Sequence, residues 1–275
     1  MVGRVTSLDA VCAELSSRAT FIEVASDYLI AQCDHATLAA AMTAAGLACD
    51  ALIVDAPYSA RTHSGHDAAS DAAISNGRRA IDYPPWSAAD VADFVAKWAP
   101  VVSGWICSIT DDVLSPEWRA SMESAGRCGF APLPLVQPGS RVRLSGDGPS
   151  SITTWVVVSR PRNITYARWG TLRGAYIQPG GAREVPVVVG GKTGWAMRSL
   201  VSDYSRPGDL VCDSVMGGGT TLVAAVELGR RAIGCEPDAG RFAIAAKRLR
   251  EARRPLPGLV RPAAEQAAMD LGGER

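Results

Sequence analysis

Asp209-Leu210-Val211-Cys212-Asp213-Ser214-Val215-Met216-Gly217-Gly218-Gly219-Thr220-Thr221 is the stretch on which the fold turns. Its apolar opening, up to Cys212, predicts a buried strand. Asp213 and three consecutive glycines follow, so the strand runs into a turn where backbone can come close to a ligand. Thr220 to Leu228 predicts a helix stopped at Gly229. Arg231-Ala232-Ile233-Gly234-Cys235 predicts a second strand, ended by Glu236. The unit is strand, glycine turn, helix, strand, acid. Its acid stands about 20 residues past the glycines, the spacing at which a dinucleotide fold places its ribose-binding carboxylate. The alternative is a structural turn with an incidental surface Glu.

A second apolar run, Ala51-Leu52-Ile53-Val54, predicts another buried strand and leads into Asp55-Ala56-Pro57-Tyr58. In open α/β sheets ligands bind where strands end. The two segments together therefore predict a nucleotide-like cofactor beside a planar polar substrate. The fingerprint G-x-G-x-x-G is not completed, because Leu222 stands at its last position; this weakens a nicotinamide or flavin reading. Gly191-Lys192-Thr193 looks like the end of a phosphate loop, but Pro186 occupies the place of the loop's first Gly. Hydrolysis of ATP or GTP is not supported.

The remaining chain predicts one α/β domain over residues 1–262, mostly a parallel sheet with helices on both faces, and a disordered tail over 263–275. Ala19 to Ala25 predicts the first strand, and Thr37 to Ala45 a helix stopped at Gly46. Ser59 to Pro85 reads as a polar loop. Ser87 and Asp90 form a capping-box pattern ahead of an apolar stripe, Val91, Phe94, Val95 and Trp98. Gly104 to Ile109 predicts a strand, Ser115-Pro116 opens a helix, and Phe130 to Val136 with Thr153 to Val158 predicts a hairpin. The seven cysteines include no C-x-x-C pair and read as reduced, buried thiols. The N-terminus lacks a signal-peptide core and no stretch is a convincing membrane span, so a cytoplasmic protein is expected. The formal net charge of zero argues against a protein that coats DNA non-specifically, but leaves a local basic surface open.

These segments resemble the amino-group DNA methyltransferases that use S-adenosylmethionine. Asp55-Ala56-Pro57-Tyr58 is similar to their catalytic Asp-Pro-Pro-Tyr. Asp213 through Thr221 is similar to their cofactor loop, Asp-Pro-Phe-x-Gly-Ser-Gly-Thr-Thr. Lys192, Arg198-Ser199-Leu200 and Arg206-Pro207-Gly208-Asp209 resemble the stretch that leads into that loop, and Ile233-Gly234-Cys235-Glu236 the strand with its ribose acid. The catalytic segment precedes the cofactor loop, which is the circularly permuted order of the β class. The resemblance spans roughly residues 20 to 250, with a vague middle third. It implies a Rossmann-like methyltransferase fold and S-adenosylmethionine held by Lys192, Asp213, Val215, Met216, Gly217, Gly218, Gly219, Thr220, Thr221 and Glu236, with Asp27 near the adenine. Departures are Ala56 for Pro, Ser214 and Val215 for Pro and Phe, and Thr193 for a Pro after the Lys. Ala56 keeps the backbone carbonyl that the family uses, whereas Val215 gives up an aromatic contact.

The chemistry implied is methyl transfer to an exocyclic base amine, whose lone pair is delocalised into the ring. Asp55 would accept one amine hydrogen, the Ala56 carbonyl the other; Pro57 stiffens the turn and Tyr58 stacks on a flipped base. Adenine N6 is favoured over cytosine N4 because Asp heads the motif. Carbon-5 methylation needs a Pro-Cys nucleophile, and no such pair exists. Arg61, Thr62, His63, Ser64 and His66 would close over the base or touch phosphate, or form a plain surface loop. His63, His66 and Asp67 do not make a metal site: one other His exists and no Cys cluster supports it, so no metal is expected. Arg160, Arg162, Arg168, Trp169 and Arg173 fall in a short target-recognition insert, about 160–183, with a solvated loop as the alternative. That insert is too short to read several base pairs alone, which points to loose site preference, a homodimer or a second subunit. Competing readings are a degenerate partner subunit that binds cofactor or DNA without catalysis, and an RNA or protein N-methyltransferase. Motif order argues against the latter.

Overall fold

The computed structural model describes residues 8–67, 83–138, 152–163, 169–180, 184, 186–188 and 190–252. Its strands are β1 (Ile22–Val24), β2 (Tyr28–Ala31), β3 (Cys49–Asp55), β4 (Val102–Thr110), β5 (Arg127–Gly129), β6 (Leu133–Val136), β7 (Thr153–Pro161), β8 (Tyr176–Ile177), β9 (Leu210–Asp213) and β10 (Arg231–Cys235). Its helices are α1 (Leu8–Leu15), α2 (His35–Ala44), α3 (Ala60–Asp67), α4 (Ala88–Trp98), α5 (Ser115–Ser124), α6 (Gly194–Tyr204), α7 (Thr220–Glu227) and α8 (Ala239–Ala252).

The strands form one sheet in the order β1-β2-β10-β9-β3-β4-β7-β6-β8, with β5 also on β7. The five central strands, β2-β10-β9-β3-β4, run parallel to one another. β7 runs antiparallel to β4 and to β5 and β6, and β1 is antiparallel to β2. The sheet thus has the expected parallel centre, with antiparallel strands added on both sides of it. β7 is antiparallel to β4, β5 and β6 alike, so the run of parallel pairings ends at β4.

Successive side chains of the central strands point to opposite faces, and both faces are covered. Leu29, Leu52, Val54, Ile106, Cys212 and Ile233 pack with α1, α2, α4 and α5. Ile30, Ile53, Cys107, Val211 and Ala232 pack with α6, α7 and α8. Helix α4 shows the local logic. Its capping box at Ser87 and Asp90 is formed, and Val91, Phe94, Val95 and Trp98 are buried. Such burial is worth roughly 1.5–3 kcal/mol per large side chain, and the cap about 1 kcal/mol.

Two expectations are corrected. The strand over Ala19 to Ala25 is the short edge strand β1; the parallel strand is β2, reached through a tight turn at Ser26-Asp27. The polar loop after Asp55 begins with helix α3. Its polar sequence carries no apolar stripe, and its start is held by a distant carboxylate instead. Asp111 Oδ2 accepts from Ser59 N (3.0 Å), Ser59 Oγ (2.5 Å) and Thr62 Oγ1 (2.6 Å), and Oδ1 accepts from Leu114 N (3.0 Å). The tail over 263–275 lies outside the described residues.

Candidate active site

Strands β9 and β3 are parallel neighbours, with Ala51 opposite Val211 and Leu52 opposite Cys212. From β9 the chain crosses over α7 to β10 on one side; from β3 it passes α3 and α4 to β4 on the other. The strand order thus reverses direction between β9 and β3. A crevice opens at such a switch point, outside the carboxyl ends of the strands. Asp213 and Asp55 end these two strands. A cavity of about 180 Å³ lies there, and Asp55, Pro57, Lys192, Asp213 and Glu236 all line it. Val215, Met216, Gly217, Gly218, Thr220 and Thr221 line it too.

The glycine turn is built by backbone geometry. Gly217 (φ +50°) and Gly219 (φ +75°) lie in the left-handed region. A Cβ on Gly219 would sit 2.9 Å from the Ala245 Cβ of α8, so this crossing admits only Gly. Gly219 N donates to the Met216 carbonyl at 2.7 Å and closes the turn. Arg248 of α8 holds the turn from below, donating to the Gly218 carbonyl and, at 3.0 Å, to Thr220 Oγ1. Thr221 Oγ1 meets Met197 Sδ at 3.5 Å. Thr193, where the resembled family has Pro, caps α6 by accepting from Ala196 N.

Two carboxylates face this turn. Glu236 Oε2 accepts from Gly217 N (3.0 Å) and Oε1 from Asp238 N (3.0 Å). Each oxygen keeps a lone pair, so the group can accept from two vicinal hydroxyls, the donor pattern of a ribose. Burial raises the proton affinity of Glu236 against the pull of those N–H donors. Asp213 is buried, and burial pushes its carboxyl up to about 7 despite hydrogen bonds from Thr221 and Val215 N; Asp55 and Glu236 add to the rise. With apolar walls from Met197, Val215 and Met216, the residues fit a nucleoside-bearing cofactor.

On the β3 side, Lys192 Nζ lies 2.8 Å from Asp55 Oδ1 and 2.9 Å from Oδ2. Tyr58 Oη donates to Oδ1 at 3.2 Å, and the Lys192 ammonium stands 4.9 Å from the Tyr58 ring centroid. Burial raises the proton affinity of Asp55, and Lys192 opposes it. Ala56 is buried between them in sequence. Lys192 thus meets the catalytic-type segment, where the sequence reading placed it on the cofactor.

Other expected site residues divide by position. Arg61 is exposed and pairs with Asp112 at 3.0 Å; Thr62 is bound to Asp111, and Ser64 donates to the Arg61 carbonyl. All stand on α3, just past Asp55. His63 is buried, its ring 5.4 Å from that of Tyr83, which lines the cavity. The side chain of His66 and all of Arg168 lie outside the described residues. Asp27 is not brought to the cavity: its carbonyl accepts from Ala232 N at the amino end of β10, whereas Glu236 follows the carboxyl end.

The structure also does not bring Arg160, Arg162, Trp169 and Arg173 to Asp55. Because β7 is antiparallel, Ser159 pairs with Ile106 in the middle of β4 while Trp155 pairs with Thr110 at its end. Arg160 therefore lies near Trp105, about 17 Å along the sheet from the carboxyl edge. Trp169 stacks edge-on to Trp105 at 5.7 Å and lies under the Arg206 guanidinium at 3.9 Å; Arg173 is 3.7 Å from Asp203. These residues and Phe130 surround a separate cavity of about 230 Å³ at the amino edge. Sequence reasoning missed several residues in and beside the site. Tyr83 and Arg241 line the cavity, with the Arg241 guanidinium 5.2 Å from the Tyr83 ring centroid. Asp111 holds α3; its one signal is an acid at the end of an apolar run. Among the described residues, no group of three His, Cys, Asp or Glu side chains gathers to hold a metal, and no helix is long and apolar enough to cross a membrane.

Residues 196–247 match the DNA methylase family N6_N4_Mtase. That stretch holds α6, β9, the glycine turn, α7, β10 and Glu236. No curated protein matches the chain significantly. The M1.HpyAVI–SAM complex superposes with a TM-score of 0.62, over 81% of this chain and 98% of that one, at 20% identity. PvuII DNA methyltransferase, cytosine-N4-specific, gives 0.56 over 90% and 92%, at 13% identity. The chain has the α/β fold of these methyltransferases, and the resemblance to amino-group DNA methyltransferases read from the sequence is borne out.

Proposed function

We propose that this chain transfers a methyl group from S-adenosylmethionine to an exocyclic amine of a DNA base, with adenine N6 favoured over cytosine N4. The observation that carries the reading is the convergence of Asp55 and Glu236 in one cavity at the switch point between β3 and β9. The catalytic segment precedes the glycine turn in the chain, which supports the permuted, β-class order. The SAM complex of M1.HpyAVI supports the choice of donor.

Glu236 accepts the ribose hydroxyls, and the side-chain-free face of Gly217 and Gly218 lets the donor approach the backbone. The bound cofactor supplies an electrophilic methyl on a sulfonium. Asp55 accepts one hydrogen of the target amine and the Ala56 carbonyl the other. This draws nitrogen density out of the ring and aims it at the methyl. After transfer the nitrogen carries one proton too many, and Asp55, whose proton affinity burial raises, is placed to take it. Tyr58 offers its ring beside the same carboxylate. Within this reading Arg61, Thr62 and Ser64 on α3 meet the DNA, because α3 follows Asp55 directly. Arg160, Trp169 and Arg173 lie away from Asp55, so further readout is loose or is shared with a second subunit.

Calorimetry with S-adenosylmethionine and transfer of labelled methyl to DNA test the reading. Wild type should bind and transfer. Glu236→Ala and Gly217→Val should lose binding, while Asp55→Ala should keep binding and lose transfer. A folded wild type that binds no cofactor, or labels RNA or protein and not DNA, defeats the proposal. Cofactor binding without transfer, combined with tight association to a second methyltransferase chain, favours the partner-subunit reading.

A further inference from the structure

We propose that Lys192 is a positioning residue for methyl transfer rather than a cofactor ligand: it grips the Asp55 carboxylate and fixes its orientation toward the target amine. This rests on the methyltransferase reading above.

The argument is a count of lone pairs. An ionised carboxylate oxygen accepts at about two directions. Asp55 Oδ1 accepts from Tyr58 Oη at 3.2 Å and Oδ2 from Lys192 Nζ at 2.9 Å, with the ammonium also 2.8 Å from Oδ1 as an ion pair. Each oxygen therefore keeps one direction open to the target amine. The ammonium straddles both oxygens and stops the carboxylate from turning about its Cβ–Cγ bond, so the open directions stay fixed. Lys192 has a second hold, over the Tyr58 ring at 4.9 Å. Its own side chain is only 8% exposed, which leaves it no solvent partner to exchange for Asp55.

Lys192 also sets the charge of the pair. Asp55 faces Tyr58 on its own loop, Lys192 on the segment before α6, and Asp213 at the end of β9; Glu236, Arg241 and Tyr83 line the same cavity. Burial disfavours an ionised Asp55. Lys192 is the cation in direct contact with it, and it opposes the effect of burial. An amine acceptor must be ionised, since a protonated Asp55 would present a donor to a donor. Removal of the ammonium should therefore protonate Asp55 at higher pH and free the carboxylate to rotate.

The test compares wild type, Lys192→Met, Lys192→Gln and Lys192→Arg, each checked for folding by circular dichroism. Two readouts are taken. The first is the single-turnover rate of methyl transfer against pH at saturating S-adenosylmethionine and DNA, with the cofactor dissociation constant measured alongside. The second is the carboxyl titration of Asp55 by carbon-13 NMR, assigned by its loss in Asp55→Asn, which needs no activity. Lys192→Met and Lys192→Gln should bind cofactor within about threefold of wild type. Their acidic limb should move up by one pH unit or more, and the Asp55 titration should move with it. Lys192→Arg should bring both back to within half a unit of wild type. A tenfold or greater loss of cofactor affinity with an unmoved limb makes Lys192 a cofactor ligand and overturns the proposal. An Asp55 titration that is the same with and without Lys192 also overturns it. If wild type transfers no methyl yet the titration moves, the methyltransferase reading falls and the Lys192–Asp55 assignment stands.

Discussion

Asp213→Asn should change how the protein's stability depends on pH. Asp213 is 2% exposed, and burial holds its carboxyl at about 7, against an ordinary value of 3.8. The unfolded chain gives up this proton near its ordinary value, while the folded chain keeps it until about pH 7. Stability linked to this group is therefore fully present below pH 3.8 and is lost as pH rises through about 7. Each pH unit inside that window costs about 1.4 kcal/mol. From pH 5 to 8 the loss comes to about 3 kcal/mol. Asn does not ionise and still offers an oxygen to Val215 N. Wild type should thus lose about 3 kcal/mol more than Asp213→Asn over that range, or roughly 6–12 °C in relative melting temperature. Thermal unfolding of both proteins at pH 5, 6, 7 and 8 reads the difference directly, since all other titrations cancel. A constant offset between the two melting curves at every pH would mean that Asp213 is ionised throughout, and would refute the electrostatics assigned to the site.

Gly219→Ala should cost roughly 2–4 kcal/mol in urea unfolding, from left-handed strain and the contact with Ala245. A Cβ on Gly218 would come 2.9 Å from Val188 Cγ1, with Val188 Cγ2 and Ile244 Cγ2 at 3.5 and 3.6 Å, so in Gly218→Ala the Val188 wall of the cavity must shift and calorimetry should show about a tenfold loss of cofactor affinity, roughly 1.4 kcal/mol. Asp111→Ala should destabilise by about 3 kcal/mol. Burial raises the Asp111 carboxyl, but hydrogen bonds from Ser59, Thr62 and Leu114 outweigh it and hold it below 3.8. Its contribution is therefore present above pH 3.8 and lost below, so wild type and Asp111→Ala should converge in stability on acidification. Arg61→Ala should weaken DNA binding and flatten its salt dependence in gel shifts, whereas Arg173→Ala at the amino edge should leave both within twofold.

The parts of the fold legible in the sequence are those written by local rules. Helix α4 announces itself through a capping box and a 3.6-residue stripe, and β9, the glycine turn, α7 and β10 through strand, Gly and acid spacing. Helix α3 is not legible because its stabilising partner, Asp111, lies 49 residues from Thr62. The edge position of β1 is hidden because three strand-like residues look the same beside any neighbour. The candidate site splits the same way. Asp55, Asp213 and Glu236 are marked by their place at strand ends, and the structure gathers them. Lys192 is recognisable, but its partner is 137 residues away and no spacing reveals it. Arg160 and Trp169 look like a nucleic-acid surface because basic and aromatic residues alternate there. Which edge of the sheet they occupy depends on the direction of β7, and the antiparallel pairing of β7 with β4 carries them away from Asp55.

The most direct test of methyl transfer to DNA through Asp55 is nucleoside mass spectrometry. DNA is incubated with S-adenosylmethionine and either wild type or Asp55→Asn, digested, and searched for methylated bases. N6-methyladenine from wild type, its loss by a hundredfold or more in an Asp55→Asn protein that still binds the cofactor, and no 5-methylcytosine from either are the predicted results. N6-methyladenine formed equally well by Asp55→Asn, or no methylated base from a cofactor-bound wild type on any DNA, would contradict the assignment.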